Sequence, residues 1–263
     1  MIEQSRTPPV VESQEVASWI AEPTTHRQRV IGRSLDDRPL RPLLRPSTPV
    51  LTALDDGTFD SGEEFRLRGE RFVIGRSSGD LVIPHDQTLS STHAEIRRVA
   101  ADGRVSWHLI DLESVNGTFV RIESALLYPD SLLIIGLRRF KLIDPVAAAR
   151  ASAGYGTHEI DSQALPADLW PSFVEAGKQD SVLRFPLRQQ RVTIGRTGGP
   201  CDITIDDPHL AIHHATLTRG EDHLWRITPE KTLNGVWVNT RAVKLTPLCH
   251  FLCGEQFFRF AIR

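Results

Sequence analysis

Short apolar runs separated by turn residues fill the chain from about residue 50 to its last residue. In the first part of this stretch the runs cover residues 50–54, 64–68, 71–74, 81–83, 94–99, 107–111, 118–121, 132–135 and 139–143. No helical period connects them, and strands this short at this spacing are typical of an antiparallel sandwich or barrel. The same pattern returns between residues 181 and 263. The chain is therefore predicted to be all-β, with two antiparallel sandwiches in tandem.

The two patterned stretches also repeat one set of motifs. The first contains Gly75-Arg76, His93 and Asn116-Gly117, and the second contains Gly195-Arg196, His214 and Asn234-Gly235. From the Asn-Gly pair onward the register is constant, because matching residues stand 118 positions apart (234 − 116 = 118). Internal similarity of this kind indicates repeated structural units. We read the chain as two copies of one module.

The repeats divide the chain into four parts. Residues 1–47 combine prolines with scattered arginines, a composition that predicts a mostly disordered tail, with one short helix conceivable at residues 12–21. Residues 48–144 and 181–263 are the two predicted domains, and residues 145–180 form a linker. The tail repeats the Val-Ile-Gly-Arg-Ser motif at residues 30–34 without any strand pattern around it, so we leave that copy outside the domains.

Composition narrows the classes of function. The chain has 263 residues, of which 40% are hydrophobic and 24% charged, as in an ordinary globular protein with about two domains. The formal net charge of −2 shows no excess of positive charge that would favour binding to nucleic acid. No apolar run is long enough to span a bilayer, and the first residues do not resemble a secretory signal. We expect a cytoplasmic protein that binds no nucleic acid and does not insert into a membrane.

The repeated motifs fall in loops, where residues from different parts of the sequence meet at one end of a sandwich. Arg76 follows a strand, Ser90 and Ser91 precede the next one, and Asn116 stands at a hairpin turn. An arginine fork beside hydroxyl groups suits an oxyanion such as phosphate, because it donates two parallel hydrogen bonds. An asparagine carries a donor and an acceptor, so it suits a peptide backbone next to that phosphate.

These motifs, in this order and spacing, resemble the forkhead-associated (FHA) domain over residues 48–144. The resemblance implies an eleven-stranded sandwich whose loops bind phosphothreonine peptides. It assigns Arg76 and Ser90 to the phosphate and Asn116 to the peptide main chain, and the Ser91 hydroxyl at the next position is expected to donate to the phosphate as well. Gly75, His93 and Gly117 are implied to brace the loops.

Two positions depart from the family pattern in the first repeat, and more do in the second. Ser91 and Val115 stand where the family often has basic, amide or polar residues. In the second repeat Ala211 replaces the phosphate-binding serine, and the residues around it are apolar. Losing a hydrogen bond to a charged partner costs about 1.5–3 kcal/mol. Arg196 and Asn234 are therefore expected to form at best a weak second site.

Metal and catalytic chemistry receive little support from the sequence. Cys249, His250 and Cys253 suggest a zinc ligand set, but on one strand the two cysteines would stand about 13 Å apart. We read them as core thiols, and we expect no metal and no cofactor. Phosphate-loop, dinucleotide and nucleophile-elbow motifs do not occur. The chain is not expected to be an enzyme.

The sequence therefore favours a non-catalytic signalling adaptor that binds phosphothreonine proteins through its first domain, downstream of a Ser/Thr protein kinase. Its own tail is a second candidate ligand, since Thr7, Thr24 and Thr48 are tethered to the site at high effective concentration. The alternative is a phosphate-independent scaffold or oligomerisation module that uses the sandwich surfaces.

Overall fold

A computed structural model describes residues 47–146, 170–177 and 183–262. The predicted tail, its conceivable helix and its copy of the Val-Ile-Gly-Arg-Ser motif lie outside these residues, apart from Ser47. Most of the predicted linker lies outside them too. No helix in the described ranges is long and apolar enough to cross a bilayer.

Strands make up the described part of the first repeat, and the all-β prediction is confirmed. Buried and exposed side chains alternate along them, as in β6, where Trp107 and Leu109 are buried between more exposed neighbours. The strands are β1 (Pro49–Leu54), β2 (Gly62–Arg66), β3 (Arg71–Gly75), β4 (Leu81–Val82), β5 (Ala94–Ala101), β6 (Arg104–Asp111), β7 (Thr118–Ile122), β8 (Ala125–Leu127), β9 (Leu132–Ile135) and β10 (Arg138–Ile143).

The second half of the chain repeats this series. Its strands are β11 (Ser172–Glu175), β12 (Arg184–Pro186), β13 (Arg191–Arg196), β14 (Ile203–Ile205), β15 (Ala215–Arg219), β16 (Trp225–Pro229), β17 (Val236–Thr240), β18 (Ala242–Lys244), β19 (Leu248–Cys253) and β20 (Gln256–Ile262). Strand β11 falls inside the predicted linker. It is only four residues long, but it pairs with β10 and buries Phe173 completely.

Three sheets assemble these strands. One has ten strands in the order β12-β11-β10-β9-β17-β7-β19-β20-β1-β2, and two have five strands each, in the orders β18-β6-β5-β3-β4 and β14-β13-β15-β16-β8. Each five-stranded sheet packs on one half of the long sheet. We call β1–β7 with β18–β20 the first sandwich, and β8–β17 the second sandwich.

Each sandwich is built from both sequence repeats. Strands β18, β19 and β20 of the second repeat pair with β6, β7 and β1 of the first. In return, β8 and β9 of the first repeat pair with β16 and β17 of the second. The exchange is symmetric, because β7 and β17 pair antiparallel with Val120 opposite Val238, two residues 118 positions apart (238 − 120 = 118).

The buried core of each sandwich also combines residues of both repeats. In the first sandwich, Leu51, Ile74 and Leu109 of the first repeat pack in one cluster with Phe251 and Phe258 of the second. In the second sandwich, residues of β8–β10 share a cluster with residues of β11–β17, namely Leu127, Leu133, Ile135, Phe140 and Leu142 with Phe173, Ile194, Leu217, Trp225 and Val236 among others. Neither repeat contains a complete core by itself in this arrangement.

This pairing differs from that expected of two repeats that fold separately. The physical reason is the shared register of the repeats. Phe140 and Phe258 occupy equivalent positions in the repeats, and each is completely buried in the core of one sandwich. The alternation of apolar and polar residues is identical in the two arrangements, so the pattern alone does not choose between them.

Candidate functional site

The first candidate site lies at the loop end of the first sandwich, where β3 ends. Gly75 closes that strand, and a Cβ there would collide with the carbonyl oxygens of Ser91 and Ser78, so the position requires glycine. The main-chain N–H of Arg76 donates to the carbonyl oxygen of Ser90 at 2.9 Å. This bond ties the arginine to the loop that carries the serines.

The Arg76 guanidinium is held loosely. Its Nη1 donates to Oε1 of Gln87 at 3.3 Å, and none of the ion pairs found within the described ranges involves it. The side chain is partly exposed. Most of its N–H groups are therefore available to an anion from solvent.

The serine loop presents hydroxyl groups beside this arginine. The Ser90 hydroxyl oxygen accepts the N–H of Val115 at 3.0 Å, so its own hydrogen remains to be donated elsewhere. The hydroxyls of Ser77 and Ser91 lie 2.6 Å apart on the exposed rim. Ser77 also follows Arg76 directly, and the sequence analysis did not include it.

His93 is completely buried beneath the loop and joins two of its segments. Its Nε2 lies 3.2 Å from the carbonyl oxygen of Gly117, and its Nδ1 accepts the N–H of Ser90 at 3.2 Å. A carbonyl oxygen only accepts, so the ring proton sits on Nε2 and the imidazole is neutral. The ring thereby fixes Ser90 relative to the Asn-Gly turn.

Asn116 is the third element of the candidate site, after Arg76 and the serine loop. One N–H of its side-chain amide donates to the carbonyl oxygen of Thr88 at 2.8 Å, which leaves the amide oxygen and a second N–H free for a peptide backbone. Gly117 has a φ of +79°, a conformation that favours glycine. Asn116 and the serine loop are thus tied to each other directly.

Asp111 organises the turn before Asn116, a role that the sequence motifs did not predict. Its carboxylate accepts the N–H and the hydroxyl of Ser114 at 2.9 and 2.6 Å and the hydroxyl of Thr118 at 2.6 Å. The Ser114 hydroxyl accepts the N–H of Gly117 at 3.0 Å. An aspartate three residues before a serine is an Asx-type turn signal that sequence reasoning can use.

The second sandwich repeats the histidine and asparagine hydrogen bonds of the first candidate site but lacks its serine. His214 accepts the N–H of Ala211 and donates to the carbonyl oxygen of Gly235, and Asn234 donates to the carbonyl oxygen of His209. Arg196 is exposed, but no hydroxyl stands at position 211. The structure brings Arg196 and Asn234 to equivalent places without the serine that lies beside Arg76.

The cysteines occupy three different environments. Cys253 is completely buried in the first sandwich, and burial raises the pKa of its thiol. Burial also raises the pKa of Cys249 to about 11. Cys201 lies near the second candidate site, where its sulfur is 3.4 Å from Nδ1 of His213. Within the described ranges, no group of three or more possible metal ligands occurs.

The buried histidines predict a loss of stability on mild acidification. Burial lowers the pKa of His93 and of His214 below the usual value of 6.5, an effect that outweighs their carbonyl partners. The unfolded chain binds these protons first, so stability is full above pH 6.5 and falls as the pH drops below it. We expect the urea midpoint of the full chain to be lower at pH 5.5 than at pH 7.5. A constant or rising midpoint would contradict this.

Comparison with protein families identifies two matching segments. The model of the FHA domain matches residues 72–136 and 192–250, which lie inside the two repeats and contain their arginine, histidine and Asn-Gly motifs. The family resemblance seen in the sequence is therefore confirmed. FHA domains are non-catalytic modules for phosphothreonine-dependent interaction between proteins.

Solved structures resemble parts of the chain. Full-length yeast Pml1p is 25% identical over 28% of this chain and 58% of its own, with a TM-score of 0.26. A chain from a structural and functional analysis of phosphothreonine-dependent FHA domain interactions is 40% identical over 28% of this chain and 69% of its own, with a TM-score of 0.22. The Slr1951 protein from Synechocystis sp. is 31% identical over 27% of this chain and 71% of its own, with a TM-score of 0.23.

Comparison with curated proteins returns no match. The assignment therefore rests on the two matched segments and on the motifs within them. Both segments contain the Gly-Arg, histidine and Asn-Gly motifs in the same order, and the chain is an FHA-domain protein that carries two copies of the domain.

Proposed function

We propose that the chain is a phosphothreonine-peptide reader whose first site lies in the first sandwich. The observation that carries this proposal is the convergence of Arg76, Ser90 and Asn116 on one loop end, tied by the Arg76 N–H to Ser90 bond and the Val115 N–H to Ser90 bond. Arg76 and Ser90 would bind the phosphate, with Ser91 adding a hydroxyl. Asn116 would hold the peptide backbone.

The electrostatics support phosphate over an unmodified side chain. Phosphorylation adds a charge of about −1.5 to −2 and three strong acceptor oxygens. Arg76 offers a charged donor fork, and Ser90 offers a hydroxyl hydrogen that no other contact in the described ranges uses. A neutral threonine hydroxyl would satisfy neither group fully, so the modified residue should bind much more tightly.

The ligand would be a protein phosphorylated by a Ser/Thr kinase, and the chain would act as a cytoplasmic adaptor without catalysis of its own. The tail remains a candidate ligand. Thr7 and Thr24 lie outside the described residues, whereas Thr48 directly precedes β1 and is partly buried, which limits its access to a kinase.

An oriented peptide library tests the proposal. The full chain would be exposed to pools that share degenerate flanking residues around phosphothreonine, phosphoserine or unmodified threonine. We expect selective retention of the phosphothreonine pool, whose enriched flanking residues then define a single peptide for quantitative work. Equal retention of the three pools would favour a phosphate-independent surface, and no retention of any pool would refute the reader function.

A further inference from the structure

The exchanged hairpin β19–β20 touches the loop that carries the first candidate site. Asp86, only 6% exposed, lies in that loop between β4 and β5. One of its carboxylate oxygens accepts the N–H of Glu255, in the β19–β20 turn, at 2.8 Å. Gly254 of the same turn lies so close that an added Cβ would stand 2.7 Å from the Thr88 hydroxyl oxygen. A residue of the second repeat is thus bonded into the first repeat's loop.

The other oxygen of Asp86 continues the connection toward the candidate site. It accepts the N–H of Thr88 at 2.8 Å and its hydroxyl at 2.5 Å, and the carbonyl oxygen of Thr88 accepts the amide of Asn116. Burial alone would raise the pKa of Asp86, but these hydrogen bonds from Thr88 and Glu255 lower it overall. The carboxylate is therefore charged and fully engaged at neutral pH.

The second sandwich contains an equivalent relay, which leads to the loop of the second candidate site. Asp207, 4% exposed, accepts the N–H of Leu137 in the β9–β10 turn and the N–H of His209, both at 2.8 Å. The carbonyl oxygen of His209 accepts the amide of Asn234 at 2.8 Å. The two aspartates match in burial, in their main-chain N–H partners and in the exchanged turn that each one holds. Their side-chain partners differ, because Asp86 accepts the Thr88 hydroxyl and Asp207 lies 3.2 Å from Nδ1 of His209.

From this contact we infer that the second repeat contributes to ligand binding at the first repeat's site. Its β19–β20 turn, through the Glu255 N–H and the Asp86 carboxylate, fixes the loop on which Ser90 stands and the carbonyl that holds Asn116. Asp86 is a positioning residue for ligand binding in the first sandwich. This inference rests on the proposed function of that site, and it gives the second repeat a role that does not require it to bind phosphate.

The physical basis is preorganisation. A loop already held in its binding conformation does not lose that freedom when the ligand arrives. Asp86→Asn keeps the shape but replaces one acceptor oxygen by an NH₂ group, which then faces the N–H of either Glu255 or Thr88. Two N–H donors facing each other cannot bond, so one step of the connection from the Glu255 N–H through residue 86 to Thr88 is broken in either orientation of the amide.

Paired substitutions in the full chain test the inference. Asp86→Asn and Asp207→Asn should each lower the melting temperature, because each breaks a buried bond between a loop and an exchanged turn. Only Asp86→Asn should weaken binding of the selected phosphothreonine peptide, by about tenfold in dissociation constant. Equal peptide affinity of the two variants would overturn the inference.

Hydrogen exchange without ligand separates this inference from the reader function. Asp86→Asn should speed exchange in residues 86–93, and Asp207→Asn should speed it in residues 207–214 instead. Unchanged exchange in residues 86–93 would overturn the coupling even if the peptide binds. A wild-type chain that binds no phosphothreonine peptide would overturn the reader function, and the binding role of Asp86 with it, whatever the exchange rates show.

Discussion

Arg76→Ala is expected to weaken phosphothreonine-peptide binding by at least about a hundredfold, because a bidentate charge-assisted contact contributes roughly 3 kcal/mol or more. The melting temperature should hardly change. The side chain lies on the rim and donates only to Gln87 within the described ranges, while its main-chain bond to Ser90 survives the substitution. Calorimetric titration and thermal unfolding of the full-length variant measure the two quantities.

Arg196→Ala is the matched control for this experiment. Arg196 ends β13 as Arg76 follows β3, and its main-chain N–H donates to the carbonyl oxygen of Ala211 at 2.9 Å, as that of Arg76 does to Ser90. It is an exposed arginine at the equivalent place. We expect this variant to bind the peptide like the wild type. Equal affinity of Arg76→Ala and wild type would remove the phosphate role of Arg76.

Because the two repeats exchange strands, the chain is expected to stay in one particle after it is cut between them. If a specific protease site is inserted between residues 147 and 169, which lie outside the described residues, cleavage should leave the two fragments together. Each sandwich contains strands from both fragments, so the fragments separate only if both cores open. The cleaved chain should elute in gel filtration as one particle near the intact mass of 29.4 kDa.

The control is the same cleaved sample in denaturant, where the fragments should separate and show that cleavage is complete. Phosphothreonine-peptide affinity of the cleaved native complex should equal that of the intact chain, because the cut breaks no contact at Arg76, Ser90 or Asn116. Two folded fragments that elute separately under native conditions would contradict the exchanged pairing and favour repeats that fold independently.

The local features of the fold follow closely from the sequence. Alternation with period two locates most strands to within a few residues, as for β9, which covers the predicted run at residues 132–135. The motif residues also fall in loops, with Arg76 directly after β3 and Asn116 between β6 and β7. These features depend on contacts over short sequence distances and on side-chain direction, which a pattern can encode.

The assembly of the repeats does not follow from the sequence. Phe140 and Phe258 are the same residue type in the same register, so the hydrophobic pattern does not distinguish exchanged from unexchanged strands. What distinguishes the arrangements is the path of the chain after β7 and β17 and their direct pairing at Val120 and Val238. Strand β11 escaped prediction because it is only four residues long and Phe173 is its single buried apolar residue, so no apolar alternation marks it.

The role of Asp86 in the candidate site could not be predicted from the sequence either. In the sequence it stands next to His85 in a loop, where an aspartate is ordinary. Its role depends on the N–H of Glu255, which lies 169 positions away in the chain and reaches the loop only through strand exchange. A residue whose function comes from such a distant partner carries no local signal.

The most direct test of the account is to follow main-chain amide resonances of the full chain while adding the selected phosphothreonine peptide. Binding in the first sandwich predicts shifts concentrated at residues 76–78, 90–91 and 115–117, and none of comparable size when the unphosphorylated peptide is added. Shifts centred instead on residues 196–199, 211–213 and 234–235, or shifts that do not depend on the phosphate, would contradict the assignment of phosphothreonine binding to the first sandwich.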